Sequence, residues 1–214
     1  MPLTELPIGP NRLPGSLQFP AGPVCGLVIF AHGSGSGRRS PRNRFVADEL
    51  NGRGLATLLF DLLTDDEALD RRNVFDIALL ARRLGEAIEW QQTVTEIAGL
   101  PTGLFGASTG AAAALVAAAT REVRVGAVVS RGGRPDLAGA ALPLVRAPTL
   151  MIVGGADYEV LELNREAAAQ LTCEHALRVG PGATHLFEEP GTLEAAATHA
   201  ADWFALHLTE ESHA

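Results

Sequence analysis

Gly106-Ala107-Ser108-Thr109-Gly110 sets a serine between two glycines, where an apolar run, Thr102–Ala107, meets an alanine-rich one, Thr109–Ala119. The pentapeptide fits Gly-x-Ser-x-Gly, in which a strand turns at once into a helix and leaves the serine oxygen exposed on a strained backbone. A side chain at Gly106 or Gly110 would crowd that turn. Helix capping by Ser108 is the plainer reading, but a cap needs neither the flanking glycines nor the abutting strand. A hydroxyl is a poor nucleophile until a base accepts its proton, so this chemistry demands a downstream histidine and a carboxylate to orient it.

His185 answers the first demand. It lies in Pro181-Gly182-Ala183-Thr184-His185-Leu186-Phe187, a glycine- and proline-containing loop just past an expected strand. Asp157 answers the second, because Gly154-Gly155-Ala156-Asp157 leaves the carboxyl end of Thr149–Val153 with glycines that allow close approach to the histidine loop. Capping of the following helix competes for Asp157, and Asp136 and Asp61 are its substitutes. His175, His199, His207 and His213 read as ordinary surface or half-buried histidines.

His32-Gly33-Ser34-Gly35-Ser36-Gly37 follows another apolar run, and its glycines can turn backbone amides into an anion-binding nest. The glycine spacing departs from Gly-x-Gly-x-x-Gly, and a Walker-type Gly-Lys-Ser is missing. Beside Ser108, the loop reads as an oxyanion hole made from the amides of Ser34 and Thr109, with Gly33 in support and His32 bracing the turn by a hydrogen bond. Arg38, Arg39, Arg42 and Arg44 come next. They form either a solvated basic patch or, through Arg38 and Arg39, guanidinium forks for an anionic substrate group.

The elements that must carry these residues alternate. Leu3–Ile8 and Leu13–Phe19 read as an edge hairpin within residues 1–20. Strands are expected over Val24–Ala31, Leu55–Phe60, Thr102–Ala107, Arg124–Ser130, Thr149–Val153 and Glu174–Val179. Helices are expected over Arg42–Asn51, Asn73–Gln92, Thr109–Ala119, Val160–Leu171 and Leu193–Leu208, with a short irregular piece at Ala138–Leu144 and a frayed tail at 209–214. In the Asn73–Gln92 stripe, Phe75, Ile77, Leu80, Leu84 and Ile88 share a face; Trp90 and Phe187 read as core or pocket wall. Such alternation requires a mostly parallel sheet covered on both faces, a three-layer α/β/α sandwich. Residues 131–148 are too few for a large helical lid, so the pocket is expected to be open and the substrate small or extended.

Composition narrows the rest. A chain of 214 residues with 47% hydrophobic and 20% charged content is expected to fold as one globular domain over 1–214. The net charge of −8 disfavours nucleic acid. All 17 basic residues are arginine, which removes Schiff-base lysines and Ser–Lys dyads. Cys25 and Cys173 form no Cys-x-x-Cys or zinc spacing, so neither metal nor cofactor is expected. Without a signal-peptide pattern or a membrane span, the expectation is a cytoplasmic protein that acts on a small-molecule acyl substrate, away from membranes.

Taken together, Val28-Ile29-Phe30-Ala31-His32-Gly33-Ser34-Gly35-Ser36-Gly37, Gly106-Ala107-Ser108-Thr109-Gly110, Gly154-Gly155-Ala156-Asp157 and Gly182-Ala183-Thr184-His185 resemble the α/β-hydrolases over nearly the whole chain. The resemblance is to the small dienelactone-hydrolase-like group. It implies a hydrolase of a small carboxylic ester or lactone with Ser108 as nucleophile, Asp157 as acid, His185 as base, and Ser34 and Thr109 as oxyanion donors. The namesake enzymes use cysteine in the elbow, whereas residue 108 is serine. Related domains occur joined to phosphoribosyltransferases, but no phosphoribosyl-binding segment is present here. A binding scaffold without turnover, and acyl-transfer or perhydrolase-type chemistry from the same three residues, are the competing readings.

Overall fold

The proline-rich start of the chain forms two strands, β1 (Leu3–Ile8) and β2 (Leu13–Gln18), paired antiparallel across a turn in which Gly9 takes a φ of +63°. This computed structural model describes residues 3–120 and 124–208. The expected tail at 209–214, with His213, lies outside the described residues. β2 runs antiparallel to β4 (Leu55–Phe60), which leads into the parallel strands β3 (Gly26–Ala31), β5 (Thr102–Ala107), β6 (Ala127–Arg131), β7 (Thr149–Gly154) and β8 (His175–Gly180). The sheet order is β1-β2-β4-β3-β5-β6-β7-β8.

Successive side chains on a strand point to opposite faces, so an apolar run of six feeds two cores at once. Leu27, Ile29 and Ala31 of β3 pack toward α4 (Ile77–Gln91) and α5 (Thr109–Ala119), while Val28 and Phe30 pack toward α1 (Pro41–Gly52) and α7 (Thr192–His207). α6 (Tyr158–Ala168) joins the α5 layer through Ala167. The result is the three-layer α/β/α sandwich. Between β6 and β7 lies a 3₁₀ segment, Pro135–Leu144, kinked at Gly139, with no large lid.

Two local signals shift the expected boundaries. The helix expected from Asn73 starts at Ile77, because Asp76 Oδ1 accepts the Leu79 amide at 2.9 Å and caps it there. Phe75 therefore leaves the buried stripe; it is 45% exposed, with the Arg71 guanidinium over its ring. The preceding residues form two single turns, α2 (Asp65–Ala68) and α3 (Arg71–Val74), capped by Thr64 and Asp70. Periodicity cannot register helices of one turn. The strand expected from Arg124 begins at Ala127, where pairing with Gly103 of β5 begins, and runs on through Arg131 opposite Ala107. A charged residue thus ends a fully buried strand.

Candidate active site

His32, Gly33, Ser34, Ser108, Asp157 and His185 emerge past the carboxyl ends of the parallel strands β3, β5, β7 and β8, where an α/β sheet opens its crevice. At the β5–α5 junction Ser108 adopts φ +51° and ψ −122°, a conformation L-residues rarely take. Its amide donates to the Arg131 carbonyl at 3.3 Å, and its carbonyl accepts from Ala111 and Arg134, each at 3.1 Å. The backbone is over-determined, which is how such strain persists. The Ser108 side chain makes no cap bond to its helix, so the capping reading fails.

The glycines of the elbow have steric work. A Cβ on Gly110 would collide with the Ala31 carbonyl, and one on Gly106 with the Ala111 backbone. These contacts let α5 sit directly against β3, with Ala111, Ala112, Ala113 and Ala114 fully buried.

Asp157 follows β7 and makes no side-chain cap bond to α6. Its Oδ2 instead lies 2.7 Å from His185 Nδ1. Nδ1 is thereby committed to the carboxylate, which orients the ring and leaves Nε2 outside that contact. Gly154 permits the approach, since a Cβ there would strike the Ala183 carbonyl. The substitutes for Asp157 are occupied elsewhere: Asp136 takes both ends of the Arg134 fork at 2.8 Å, and Asp61 binds Arg38.

Ser108 and His185 line one cleft of about 280 Å³. Gly132 stands between their loops: the neighbouring Arg131 carbonyl holds the Ser108 amide, and a Cβ on Gly132 would lie 3.0 Å from the His185 carbonyl.

The glycine-rich loop supplies the other wall. A Cβ on Gly33 would lie 3.0 Å from Ser108 Cβ. The Ser34 amide donates to Thr109 Oγ1 at 3.0 Å, and the Thr109 amide opens α5, where no earlier turn offers it a carbonyl. His32 accepts the Leu62 amide on Nε2 at 3.1 Å, and its Nδ1 lies 3.0 Å from the Gly33 carbonyl. Burial holds its pKa below the usual histidine value. Arg38 is tied to Asp61 at 2.7 Å and to Glu5 at 3.4 Å, while Arg39 is exposed on the outer rim.

Sequence reasoning missed Arg131. It ends β6 at 6% exposure and lines the cleft shared by Ser108 and His185. Its Nη2 donates to Asn43 Oδ1 at 3.4 Å, and its guanidinium lies over the Phe187 ring at 5.7 Å. Burial, with repulsion from Arg42, pushes its pKa down to about 10. An arginine closing an apolar strand was the available signal. A second cleft of about 350 Å³, on the far side of Gly33 and Ser34, is lined by Leu63, Val74 and Leu80 with Asp61 and Asp65; the single-turn helices that help build it were also missed.

No family model matches the chain. A solved structure of a dienelactone hydrolase from Anabaena variabilis is 53% identical, covers 97% of both chains and superposes with a TM-score of 0.90. Est1E from Butyrivibrio proteoclasticus shares the fold at 16% identity, over 96% of this chain and 100% of its own, with a TM-score of 0.77. Two Mycobacterium tuberculosis proteins, from different strains and provisionally named phosphoribosyl transferases, are 61% identical over 200 residues, which is 94% of this chain. The chain spans 45% of the length of those two relatives.

Proposed function

Because this chain belongs to the dienelactone hydrolase family of α/β-hydrolases, we propose that it is a serine hydrolase that cleaves a small carboxylic ester or lactone. The observation that carries the reading is Ser108, held at φ +51° on an elbow and sharing its cleft with a histidine already oriented by Asp157.

In the cycle, His185 Nε2 removes the Ser108 proton as the oxygen attacks the carbonyl, and Asp157 stabilises the imidazolium. The amides of Ser34 and Thr109 receive the oxyanion, which displaces or shares the Thr109 hydroxyl now held by Ser34. His185 returns the proton to the departing alkoxide, leaving Ser108 acylated. Water, deprotonated by the same imidazole, then releases the acid. His32 and Gly33 shape the oxyanion loop, and Gly106 and Gly110 shape the elbow. Arg38 is spent on Asp61 and Glu5, which leaves Arg39 at the outer rim as the electrostatic guide for an approaching anion. No metal or cofactor enters these steps. None of the described helices is long and apolar enough to cross a membrane. Cytoplasmic residence, supported by two free thiols, is checked by cell fractionation.

The test is covalent labelling with a fluorophosphonate, with the site assigned by mass spectrometry, beside a panel of short 4-nitrophenyl esters and lactones. Label at Ser108 and turnover are expected, and Ser108→Ala loses both. A Ser108→Ala variant with full activity would overturn the assignment. Folded wild type without label or turnover would favour a scaffold. Products formed with competing alcohols or peroxide would reveal acyl transfer or perhydrolysis.

A further inference from the structure

Residues 131–134, at the end of β6 and just past it, hold the nucleophile and meet the histidine loop. The Arg131 carbonyl accepts the Ser108 amide at 3.3 Å and the Arg134 amide donates to the Ser108 carbonyl at 3.1 Å, so one segment fixes the peptides on both sides of the serine. Between these anchors, the Gly132 amide donates to the Ile152 carbonyl at 2.8 Å, and a Cβ on Gly132 would lie 3.0 Å from the His185 carbonyl. Gly133 lies close over β6 and α5: a Cβ there would strike Ser130 Oγ and come within 2.6 Å of Ala111 Cβ. Among the described residues a single side chain hydrogen-bonds the backbone of this segment. Asn164 of α6 donates from Nδ2 to the Gly133 carbonyl at 3.0 Å.

The brace is a costly one. Asn164 is fully buried, its Nδ2 also donates to the Val160 carbonyl at 2.7 Å within its own helix, and its Oδ1 has no partner. The Val160 carbonyl is the acceptor that α-helical geometry already offers to the Asn164 backbone amide, so the second bond adds little to α6. A buried amide with an unmet acceptor costs free energy that a leucine of similar volume would not. What the amide adds at this position is the bond to Gly133. Ser108 in turn stands at φ +51°, a conformation that persists only while its surroundings over-determine it.

We infer that Asn164 is a positioning residue for the reaction: by holding the Gly133 carbonyl it locks residues 131–134, and through their two hydrogen bonds it keeps Ser108 aimed into the cleft shared with His185. The inference rests on the hydrolase reading above and extends the machinery to a helix that contributes no group to the chemistry. Without the bond to Gly133 the segment gains freedom, and the serine relaxes toward ordinary dihedral angles. Its hydroxyl then spends less time in line with a reacting carbonyl.

The experiment follows fluorophosphonate labelling of Ser108 over a range of reagent concentrations, which separates the maximal labelling rate from the half-saturating concentration, and records the Tm of each protein. Asn164→Leu keeps the volume and removes the donor. Its maximal rate is expected to fall about tenfold, the worth of one buried hydrogen bond, at an unchanged half-saturating concentration. The kcat/KM for 4-nitrophenyl butyrate is expected to fall by the same factor. Asn164→Ser covers a failure of Asn164→Leu to fold: its hydroxyl still donates to the Val160 carbonyl but falls short of Gly133, and the same slowing is expected. Leu171→Ala serves as the control, because it removes buried packing just beyond α6 and no hydrogen bond to residues 131–134. A lower Tm with wild-type labelling is expected there. Slow labelling in the Asn164 variants beside wild-type labelling in Leu171→Ala supports the inference. Wild-type labelling in a folded Asn164 variant, whatever its Tm, overturns it, and so does equal slowing in Leu171→Ala; the hydrolase reading survives both results. A wild type that neither labels nor turns over defeats the hydrolase reading and takes this inference with it.

Discussion

At the scale of single residues, the site depends on which hydrogen bonds are already made. Asp157 is spent on His185 Nδ1 and not on capping, so Asp157→Asn keeps the shape but offers an amide to a nitrogen that should donate. The expected outcome is a fall in kcat of about 10³- to 10⁴-fold with little change in KM, read from steady-state kinetics. Thr109 contributes more than its amide. Its hydroxyl accepts the Ser34 N–H and so anchors the glycine-rich loop to the elbow. Thr109→Val removes that acceptor without changing volume much, and a loss of up to about tenfold in kcat is expected, the worth of one ordinary hydrogen bond. Thr109→Ser should recover the wild-type rate. The pairing of Asp157 with His185 was legible, because a glycine-bearing turn after an apolar run announces itself locally. The Thr109–Ser34 bond was not, since its two ends are separated by 75 positions.

At the scale of elements, the β5–α5 elbow works because glycine lets two pieces of backbone touch. Gly110→Ala would push a methyl into the Ala31 and His32 carbonyls, and backbone inside a parallel sheet has little room to yield. A destabilisation of about 1–3 kcal/mol is expected, seen as a drop of several degrees in Tm, together with loss of fluorophosphonate labelling as the oxyanion loop is displaced. A variant that melts and labels like wild type would show that the contact is soft. The strand–helix alternation and its order were readable from apolar runs and periodicity. What escaped were the one-turn helices α2 and α3 and the true start of α4, which were decided by the side chains of Thr64, Asp70 and Asp76 acting as caps.

At the scale of the whole molecule, His32 ties the end of β3 to the segment after β4 through the Leu62 amide. Accepting that amide requires a neutral Nε2, and burial lowers the pKa from the ordinary value near 6.5. The unfolded chain therefore binds this proton at higher pH than the folded one. The stabilisation is fully present above about pH 6.5 and is lost as pH falls through the lower folded value. Wild-type Tm should decline between pH 7 and 5 more steeply than that of His32→Gln; parallel curves would remove His32 from the account. Glu67, held below the usual carboxylate range chiefly by the Thr64 amide, adds a loss of the same sign in both proteins, so the comparison isolates His32. From the residues alone came the layered fold, the elbow and the order Ser108, Asp157, His185, because contiguous patterns of apolar, glycine and capping residues encode them. The three-dimensional arrangement alone decided that Arg131 is buried with no ion-pair partner among the described residues and that Asp157 faces His185 and not its own helix. Those facts depend on loops distant along the chain meeting at one edge of the sheet, where neighbours in space set desolvation and charge.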